Sequence, residues 1–284
     1  MKRNKNFTNN KSILYLVATP IGNMSEVSPR TIEILSNVAA IGCEDTRVTG
    51  KLLKQLNIEN KLISCHEHNE EMASKQLMKH LENGNNIAYV SDAGYPGISD
   101  PGQRLVKNVL DSNYNVSVIS GPNAMLNALV GSGLDTSHFY FHGFLPSKPS
   151  DRIKELNDIK NRKETIIFYE SPHRISKTVI DLYKILGNRK DCIESELTKI
   201  HEEFIHGDLE SFTQIDFETL IGEMVIVIEG KYENPLEISS EIIIKEAKIL
   251  LDEGVSKKST AKILSERLNI SKNLAYELII ENFK

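Results

Sequence analysis

Cysteine is scarce in this chain of 284 residues, which contains only Cys43, Cys65 and Cys192. The count is odd, and no two of these residues have the CxxC spacing of a zinc ribbon or a redox motif. The sequence therefore disfavours both a disulfide scaffold and a structural zinc site. We expect a protein of a reducing compartment, the cytoplasm.

Long apolar runs are missing as well. The first one follows the polar stretch MKRNKNFTNNKS and spans only Ile13 to Ala18, which is too short for a signal peptide core or a membrane span. We expect no membrane association. Residues 1–11 are predicted to form a disordered tail, because they contain almost no apolar surface to bury.

Positive charge does not predominate, since 34 lysines and arginines face 39 aspartates and glutamates, for a net charge of −5. Any nucleic-acid partner must therefore bind a local basic patch. Two nucleotide fingerprints, GxGxxG and GxxxxGK[ST], are also absent. A dinucleotide fold and a P-loop are therefore disfavoured.

Short apolar segments alternate with helical periodicity through the first 232 residues. Segments such as Ile13–Ala18, Ile87–Val90 and Val116–Ile119 are predicted strands that end in glycine- and proline-rich loops. The alternation predicts an α/β fold. We place one domain with a largely parallel sheet at residues 12–122 and a second α/β domain at residues 123–232.

The C-terminal segment, residues 238–284, has a different pattern. No proline occurs after Ser240, and apolar residues recur at helical spacing in three short segments. This predicts a helix-turn-helix-like module. Six lysines and arginines against three glutamates between Gly254 and Lys284 make Lys258 a candidate RNA contact, although such a module can also only brace a neighbouring domain.

Four loops follow predicted strands and are rich in glycine, proline or charge: Thr19–Asn23, Glu44–Arg47, Ser91–Gly102 and Ser120–Ala124. In parallel sheets, ligands bind outside the carboxyl ends of the strands. Glycine lets the backbone approach a ligand closely. The 91–102 loop is therefore predicted to cradle a nucleotide-sized ligand; the alternative is an ordinary irregular connection.

Eight sequence blocks occur in one order along the chain: LVATPIGNMSEVSPR, CEDTRVTGKLL, HEHN, VSDAGYPGISDPG, ISGPNA, FYESPHR, ELTKIHEE and GEMVIVIEG. Together they resemble the tetrapyrrole-methylase superfamily, and within it the branch that modifies ribosomal RNA. The resemblance covers residues 13–284. It implies the class III methyltransferase fold, with two α/β domains.

The resemblance also implies a function. S-adenosylmethionine would be the methyl donor, bound in a cleft between the two α/β domains. The reaction would be 2′-O-methylation of a cytidine ribose in the decoding region of 16S rRNA. The substrate would be this RNA within the small ribosomal subunit, and the enzyme would be a homodimer. Two alternatives stay open: methylation of a tetrapyrrole or other small molecule, and a ribosome-associated binding protein that has lost catalysis.

The family pattern, carried over residue by residue, implies a set of cofactor-binding positions. They are Pro20, Asp92, Ala93, Gly94, Ile98, Asn123, Ala124, Tyr169 and Met224. Tyr95 stands where the family more usually has threonine, so one wall of the site is expected to differ in shape.

Methyl transfer to a ribose hydroxyl is an in-line displacement in which positioning does much of the work. The hydroxyl must also lose a proton to a nearby group. The candidates are Asp45, Glu170, His173, Lys199 and Glu202, among which we favour the Glu170–His173 pair and Lys199. Arg47 and Arg174 are predicted phosphate clamps.

Several of these residues have simpler interpretations. Glu44–Arg47 can be a helix cap with a charge pair, and Tyr169–Arg174 can be a strand that ends in a capped helix. Residues 201–203 can be a solvated surface run. His66 and His68 suggest a metal site, but no third or fourth ligand is indicated, so we expect no metal and place His66 on the substrate side.

Overall fold

The structure is a computed structural model that describes residues 5–66, 68–232, 240–268 and 270–283. The chain forms two compact units, Met1–Lys231 and Tyr232–Lys284. The first unit contains two five-stranded sheets. The predicted division between them at residue 122 stays a prediction, because both sheets belong to the same compact unit.

The first sheet has the strand order β3-β2-β4-β1-β5, and every pairing in it is parallel. Its strands are β1 (Ile13–Val17), β2 (Ile41–Cys43), β3 (Leu62–Ser64), β4 (Ile87–Val90) and β5 (Asn115–Ile119). Its helices are α1 (Pro29–Asn37), α2 (Thr46–Gln55), α3 (Glu70–Glu82) and α4 (Gln103–Asp111). All four residues of β4 are buried, as expected for a parallel strand covered on both faces.

Local sequence signals set where the helices of this sheet begin. Ser28 caps α1, since its Oγ accepts a hydrogen bond from the Thr31 amide at 3.1 Å, and Pro29 is the first helical residue. Asp45 caps α2 by accepting from the Arg47 amide at 2.7 Å. Both caps follow the loops at the carboxyl ends of strands, so they help to position those loops.

The second sheet has the strand order β6-β7-β10-β8-β9, with β6 parallel to β7 and the other pairings antiparallel. Its strands are β6 (Phe139–Phe144), β7 (Thr165–Glu170), β8 (Lys190–Ser195), β9 (Glu203–Asp208) and β10 (Met224–Ile228). The helices in this half are α5 (Ala124–Gly131), α6 (Pro149–Ile159), α7 (Ile175–Leu186) and α8 (Leu209–Phe212). The prediction of an α/β half is confirmed; β9 begins at Glu203, within the segment considered as a surface run.

The second unit contains α9 (Ser240–Asp252), α10 (Lys257–Leu268) and α11 (Lys272–Asn282). They pack around small and branched residues, including Ala247, Ala261, Leu264, Ala275 and Ile279. The prediction of three C-terminal helices is confirmed. Residues 238 and 239 of the predicted module lie outside the described residues.

The N-terminal segment is described from residue 5 onward, and the disordered tail over residues 1–11 stays a prediction. Residues 1–4 of the predicted disordered tail lie outside the described residues, but the following ones are tethered to β5. Asn6 Nδ2 donates to the Val116 carbonyl at 2.7 Å, and Asn115 Nδ2 donates to Asn9 Oδ1 at 2.7 Å. Side-chain amides therefore hold residues that lack apolar surface. Within the described part of the chain, no helix has the length and apolarity needed to cross a membrane.

Candidate active site

A cavity of about 500 Å³ opens where loops of the two sheets meet. The 91–102 loop and the start of α5 border it from one side, and the end of β7 and the start of β10 border it from the other. The predicted site residues that line it are Asp92, Ala93, Gly94, Ile98, Asn123, Ala124, Tyr169, Lys199 and Met224. Residues from distant parts of the sequence are thus brought to one cavity at the carboxyl end of the parallel sheet.

The 91–102 loop is held against the end of β1 by a short bridge. The Thr19 amide donates to the Gly94 carbonyl at 2.9 Å, and the Gly94 amide donates to the Thr19 carbonyl at 3.1 Å. Thr19 Oγ1 also donates to the Ser91 carbonyl at 3.1 Å. Gly94 has a φ of +71°, which glycine adopts at little cost. The loop is therefore fixed before any ligand binds.

Tyr95 and Asn123 connect the loops on this side of the cavity. The Gly121 amide donates to the Tyr95 hydroxyl at 3.1 Å, a contact that the usual threonine is too short to reproduce from the same position. Asn123 caps α5, since its Oδ1 accepts from the Leu126 amide at 2.9 Å. Its side-chain oxygen therefore has a structural role as well as a place in the cavity lining.

The lining is strongly acidic. Five acidic residues, which we name the cavity carboxylates, face one lysine among the described lining residues; they are Glu44, Asp92, Asp100, Glu196 and Glu223. Burial raises the pKa of Glu44 and of Asp92 above their usual values. Burial raises the pKa of Asp100 to about 6. A cavity with this excess of negative charge suits a cationic ligand.

Lys199 reaches the cavity from a tight turn. Glu196 and Thr198 have φ angles of +52° and +67°, a region that costs non-glycine residues about 1–3 kcal/mol each. Lys199 Nζ lies 2.7 Å from Glu196 Oε1. A Cβ at Gly22 would lie 2.5 Å from Lys199 Cγ, and one at Gly222 would lie 2.2 Å from Glu196 Oε1. Two glycines thus make room for a strained turn that directs the ammonium group into the cavity.

A second cavity of about 360 Å³ adjoins the first, and Glu44 and Asp92 line both. Asp45, Arg47 and His66 complete its charged lining. Arg47 Nη2 lies 2.6 Å from Asp45 Oδ2, and hydrogen bonds from Arg47 lower the pKa of Asp45 to about 2. The helix cap with a charge pair is therefore present, and it also borders a cavity.

The two histidines near this cavity lie after β3 has ended. The rings of His66 and His68 are 6.0 Å apart between centroids, and Glu67 lies outside the described residues. Among the residues that the structure describes, no group of three or more His, Cys, Asp or Glu side chains is arranged to hold a metal ion.

Glu170 is the last residue of β7, and His173 and Arg174 directly precede α7. Glu170 is 1% exposed; its Oε2 accepts from Thr178 Oγ1 at 2.6 Å and its Oε1 from the Ser171 amide at 2.8 Å. Arg174 Nε lies 3.3 Å from Glu170 Oε1, and Arg174 Nη2 donates to the Leu145 carbonyl at 2.7 Å.

These contacts join the start of α7 to β7 and to the end of β6. None of the three residues belongs to the described lining of either cavity. A strand followed by a helix is present here, but no side-chain hydrogen bond caps the start of α7. The catalytic and phosphate-binding roles of the three residues stay predictions. Pro20 directly precedes Ile21, which lines the larger cavity. Lys258 is exposed on α10 in the second unit.

Sequence reasoning missed several lining residues. Glu44 and Asp100 lie inside the quoted EDTR and ISDPG segments, so their positions after strands could have indicated them. Glu223 and Phe144 also line the cavity. Glu223 lies inside the quoted GEMVIVIEG block, next to Met224, so its position could also have indicated it. Phe144 carries no comparable signal, because its place depends on how the second sheet packs.

Comparison with known proteins identifies the family of this chain. The sequence model of the Tetrapyrrole (Corrin/Porphyrin) Methylases matches residues 13–213. The chain belongs to the tetrapyrrole methylase family. The predicted superfamily and the predicted fold class are thereby confirmed.

Relatives within this family align with most of this chain. Ribosomal RNA small subunit methyltransferase I of Synechocystis sp. is 41% identical over 275 residues, covering 95% of this chain and 98% of the relative. The protein of the same name from Bacillus subtilis is 42% identical over 266 residues, covering 92% and 90%. That from Halalkalibacterium halodurans is 48% identical over 224 residues, covering 78% of each chain.

Solved structures of other methylases share the fold. The methyltransferase CobJ superimposes with a TM-score of 0.58 at 16% identity, over 78% of this chain and 94% of that one. Uroporphyrin-III-C-methyltransferase from Thermus thermophilus gives a TM-score of 0.53 at 16% identity, over 77% and 94%. At this identity the likeness establishes the fold alone.

Proposed function

We propose that the protein transfers a methyl group from S-adenosylmethionine to the 2′-hydroxyl of a cytidine in the decoding region of 16S rRNA. The substrate class is supported by the names of relatives whose alignments cover more than 90% of this chain. The observation that carries the chemistry is the acidic cavity between the two sheets, bordered by the 91–102 loop and by Lys199.

The cavity fits the donor in size and charge. A volume of about 500 Å³ is within the range of small-ligand and cofactor sites. The cavity carboxylates attract the sulfonium and ammonium cations of the donor. When bound, the donor supplies a methyl group on a sulfur that is already a good leaving group. The residues proposed to hold it are those of the family pattern: Pro20, Asp92, Ala93, Gly94, Ile98, Asn123, Ala124, Tyr169 and Met224.

The remaining chemical task is to remove the proton of the attacking hydroxyl. The Asp100 carboxylate lines the cavity, and burial raises its pKa to about 6, which is near the range at which a general base works best. We assign proton acceptance to Asp100. Lys199, held by Glu196, is placed to donate a hydrogen bond to the oxygen as negative charge develops on it.

The RNA chain needs cationic contacts outside the acidic cavity. Arg47 and His66 border the adjoining cavity, where Asp45 orients Arg47. We propose that Arg47, whose side chain is 86% exposed at the rim of this cavity, contacts the sugar-phosphate backbone next to the target ribose, with Lys258 of the second unit as a further contact. Glu170 and Arg174 stay in the proposal as residues that fix the start of α7, and His173 stays a candidate proton acceptor.

The context of the reaction is also proposed. The substrate would be the small ribosomal subunit in the cytoplasm, and the enzyme would act as a homodimer, as the family resemblance implies. Light scattering of the purified protein measures the second point directly.

The proposed function has a direct test. Isotopically labelled S-adenosylmethionine is incubated with 30S subunits that lack the modification and, in parallel, with a free tetrapyrrole. Label is expected at one cytidine ribose of the 16S rRNA, located by mass mapping. Label in the tetrapyrrole alone would contradict the proposal, and label in neither, with donor binding intact, would favour a binding protein without catalysis.

A further inference from the structure

A bulge at the end of β6 redirects one aromatic side chain. Phe141 pairs with Ile167, but the next partners are Gly143 with Phe168 and Phe144 with Tyr169, so the bulged strand contains one extra residue. Gly143, with a φ of +83°, supplies the backbone conformation that such a bulge favours. Bulges change which face of a sheet the following residues occupy.

The ring contacts show the result of this change. Before the bulge, His142 packs against Phe168, with centroids 5.3 Å apart, and Phe141 packs against Tyr169 at 5.0 Å. After the bulge, Phe144 lies 5.5 Å from Tyr169, on the same side as Phe141. In a regular strand, Phe144 would share the face of His142. The bulge therefore turns Phe144 toward the cavity that Tyr169 lines.

Phe144 stands at the mouth of this cavity. It belongs to the cavity lining, and it is 45% exposed although its inner edge contacts Tyr169. A Cβ at Gly143 would lie 3.3 Å from Ser99 Oγ, so the bulge lies directly against the 91–102 loop. An aromatic ring is thus presented to solvent at the point where the loops of the two sheets meet.

The chemistry of the cavity indicates what this ring contacts. A target ribose that reaches a concave site must bring its base out of the RNA stack, which costs stacking energy. Proteins compensate by stacking an extruded base on an aromatic side chain. The cavity carboxylates repel phosphate groups, whereas a neutral ring accepts a base without charge repulsion.

We propose that Phe144 stacks on the base of the target nucleotide and so holds its ribose toward the methyl donor. This inference rests on the proposed function. It assigns Phe144 to substrate binding, separate from the donor-binding residues.

The test compares three variants of the full-length protein. Phe144→Ala removes the ring, Phe144→Tyr keeps it, and Phe139→Ala is a matched control, because Phe139 is at the other end of β6, is 41% exposed and does not belong to the described cavity lining. Steady-state methylation of unmodified 30S subunits gives kcat/KM for RNA, and calorimetry gives the Kd for S-adenosylmethionine. Circular dichroism checks folding, and Phe144→Leu replaces the alanine variant if that variant does not fold.

The inference predicts that Phe144→Ala lowers kcat/KM for RNA about 10-fold or more, with Phe144→Tyr and Phe139→Ala close to wild type and the donor Kd unchanged. An unchanged kcat/KM in Phe144→Ala would overturn it. A higher donor Kd with an unchanged kcat/KM for RNA would also overturn it, because Phe144 would then stack on the adenine of the donor. Failure of the wild type to methylate RNA at all would contradict the proposed function itself, and this inference with it.

Discussion

Acidic side chains are shielded from solvent in both halves of the first unit, but in two different ways. In the first half, Glu44, Asp92 and Asp100 are partly buried and border a cavity. In the second half, Glu170, Asp191 and Glu194, which we name the core carboxylates, are at most 2% exposed and are absent from the described cavity linings.

The core carboxylates themselves divide into two kinds. Glu170 has hydrogen-bond donors on both oxygens. The side-chain oxygens of Asp191 and Glu194 lack a full hydrogen bond among the described residues, although both carboxyls interact with neighbouring Cys192. Burial raises the pKa of Asp191 well above its usual value and that of Glu194 to about 9. A buried acid with a raised pKa therefore does not by itself mark a site. An opening onto a cavity distinguishes the functional group from the structural one.

The largest expected effect comes from reversing the charge of a cavity carboxylate. Asp92→Arg places a cation where the cationic donor is proposed to bind, and like charges in contact cost several kcal/mol, so we expect the donor Kd to rise roughly 100-fold or more. Calorimetry measures the Kd, and circular dichroism checks that the fold is kept.

The control removes a core carboxylate instead. Glu194→Gln is expected to leave the donor Kd unchanged, because Glu194 is outside the described cavity lining. Equal effects of Asp92→Arg and Glu194→Gln on donor affinity would contradict the distinction between cavity carboxylates and core carboxylates.

The next largest effect concerns the stability of the second half. Glu170→Ala leaves the Thr178 hydroxyl, the Ser171 amide and the Arg174 guanidinium without their acceptor. We expect the free energy of unfolding to fall by about 2–4 kcal/mol, measured by urea denaturation. Glu170→Gln retains an acceptor oxygen and should cost less. Lost methyl transfer with unchanged stability would show instead that Glu170 acts in catalysis.

Asp100 is expected to link stability and donor binding to pH in opposite directions. Its pKa is raised from 3.8 to about 6 in the folded protein, so the unfolded chain releases this proton at lower pH than the folded one. Stability therefore falls as pH rises from about 4 to about 6. Above about pH 6, Asp100→Asn should be more stable than wild type by about 1–2 kcal/mol, allowing for partial exposure.

Donor binding should show the opposite dependence. The wild-type donor affinity should rise with pH through about 6 as Asp100 ionises, whereas the Asp100→Asn affinity should be weaker and flat over that range. Thermal unfolding and calorimetry across pH 4.5–7.5 measure both quantities. A pH-independent donor affinity of the wild type would show that Asp100 does not contribute to donor binding.

The smallest expected effect tests where RNA affinity comes from. Since the cavity is acidic, phosphate contacts must lie outside it, and Lys258→Glu is expected to weaken RNA binding several-fold at low salt, with the difference fading as salt rises. Lys79→Glu is the matched control, because Lys79 is exposed near the end of α3, which leads to the amino end of β4, whereas the cavity lies at the carboxyl ends of the strands. Equal losses in both variants would indicate a non-specific charge effect.

The parallel sheet was predictable from sequence because its strands are short apolar runs, such as Ile87–Val90, that stop at glycine-rich loops. Those loops also indicated where the cavity lies, and the family resemblance supplied the lining residues Asp92, Ala93, Gly94 and Ile98. β9 was not predicted, since residues such as Glu203 and His206 are exposed and give an edge strand little apolar alternation.

One physical reason explains why the roles of some site residues could not be assigned from sequence. Carboxylates, serines and arginines are used both to cap helices and to bind substrates. The letters YESPHR therefore cannot separate a Glu170 that binds neighbouring protein groups from a catalytic one. Phe144 reaches the cavity only through the packing of the second sheet and the bulge in β6, which local sequence does not encode.

The most direct test of the account is a crystal structure with S-adenosylhomocysteine, the demethylated donor. We predict its density in the acidic cavity, in contact with the 91–102 loop on one side and with Tyr169 and Met224 on the other. Density at any other place, with this cavity filled only by solvent, would contradict the account.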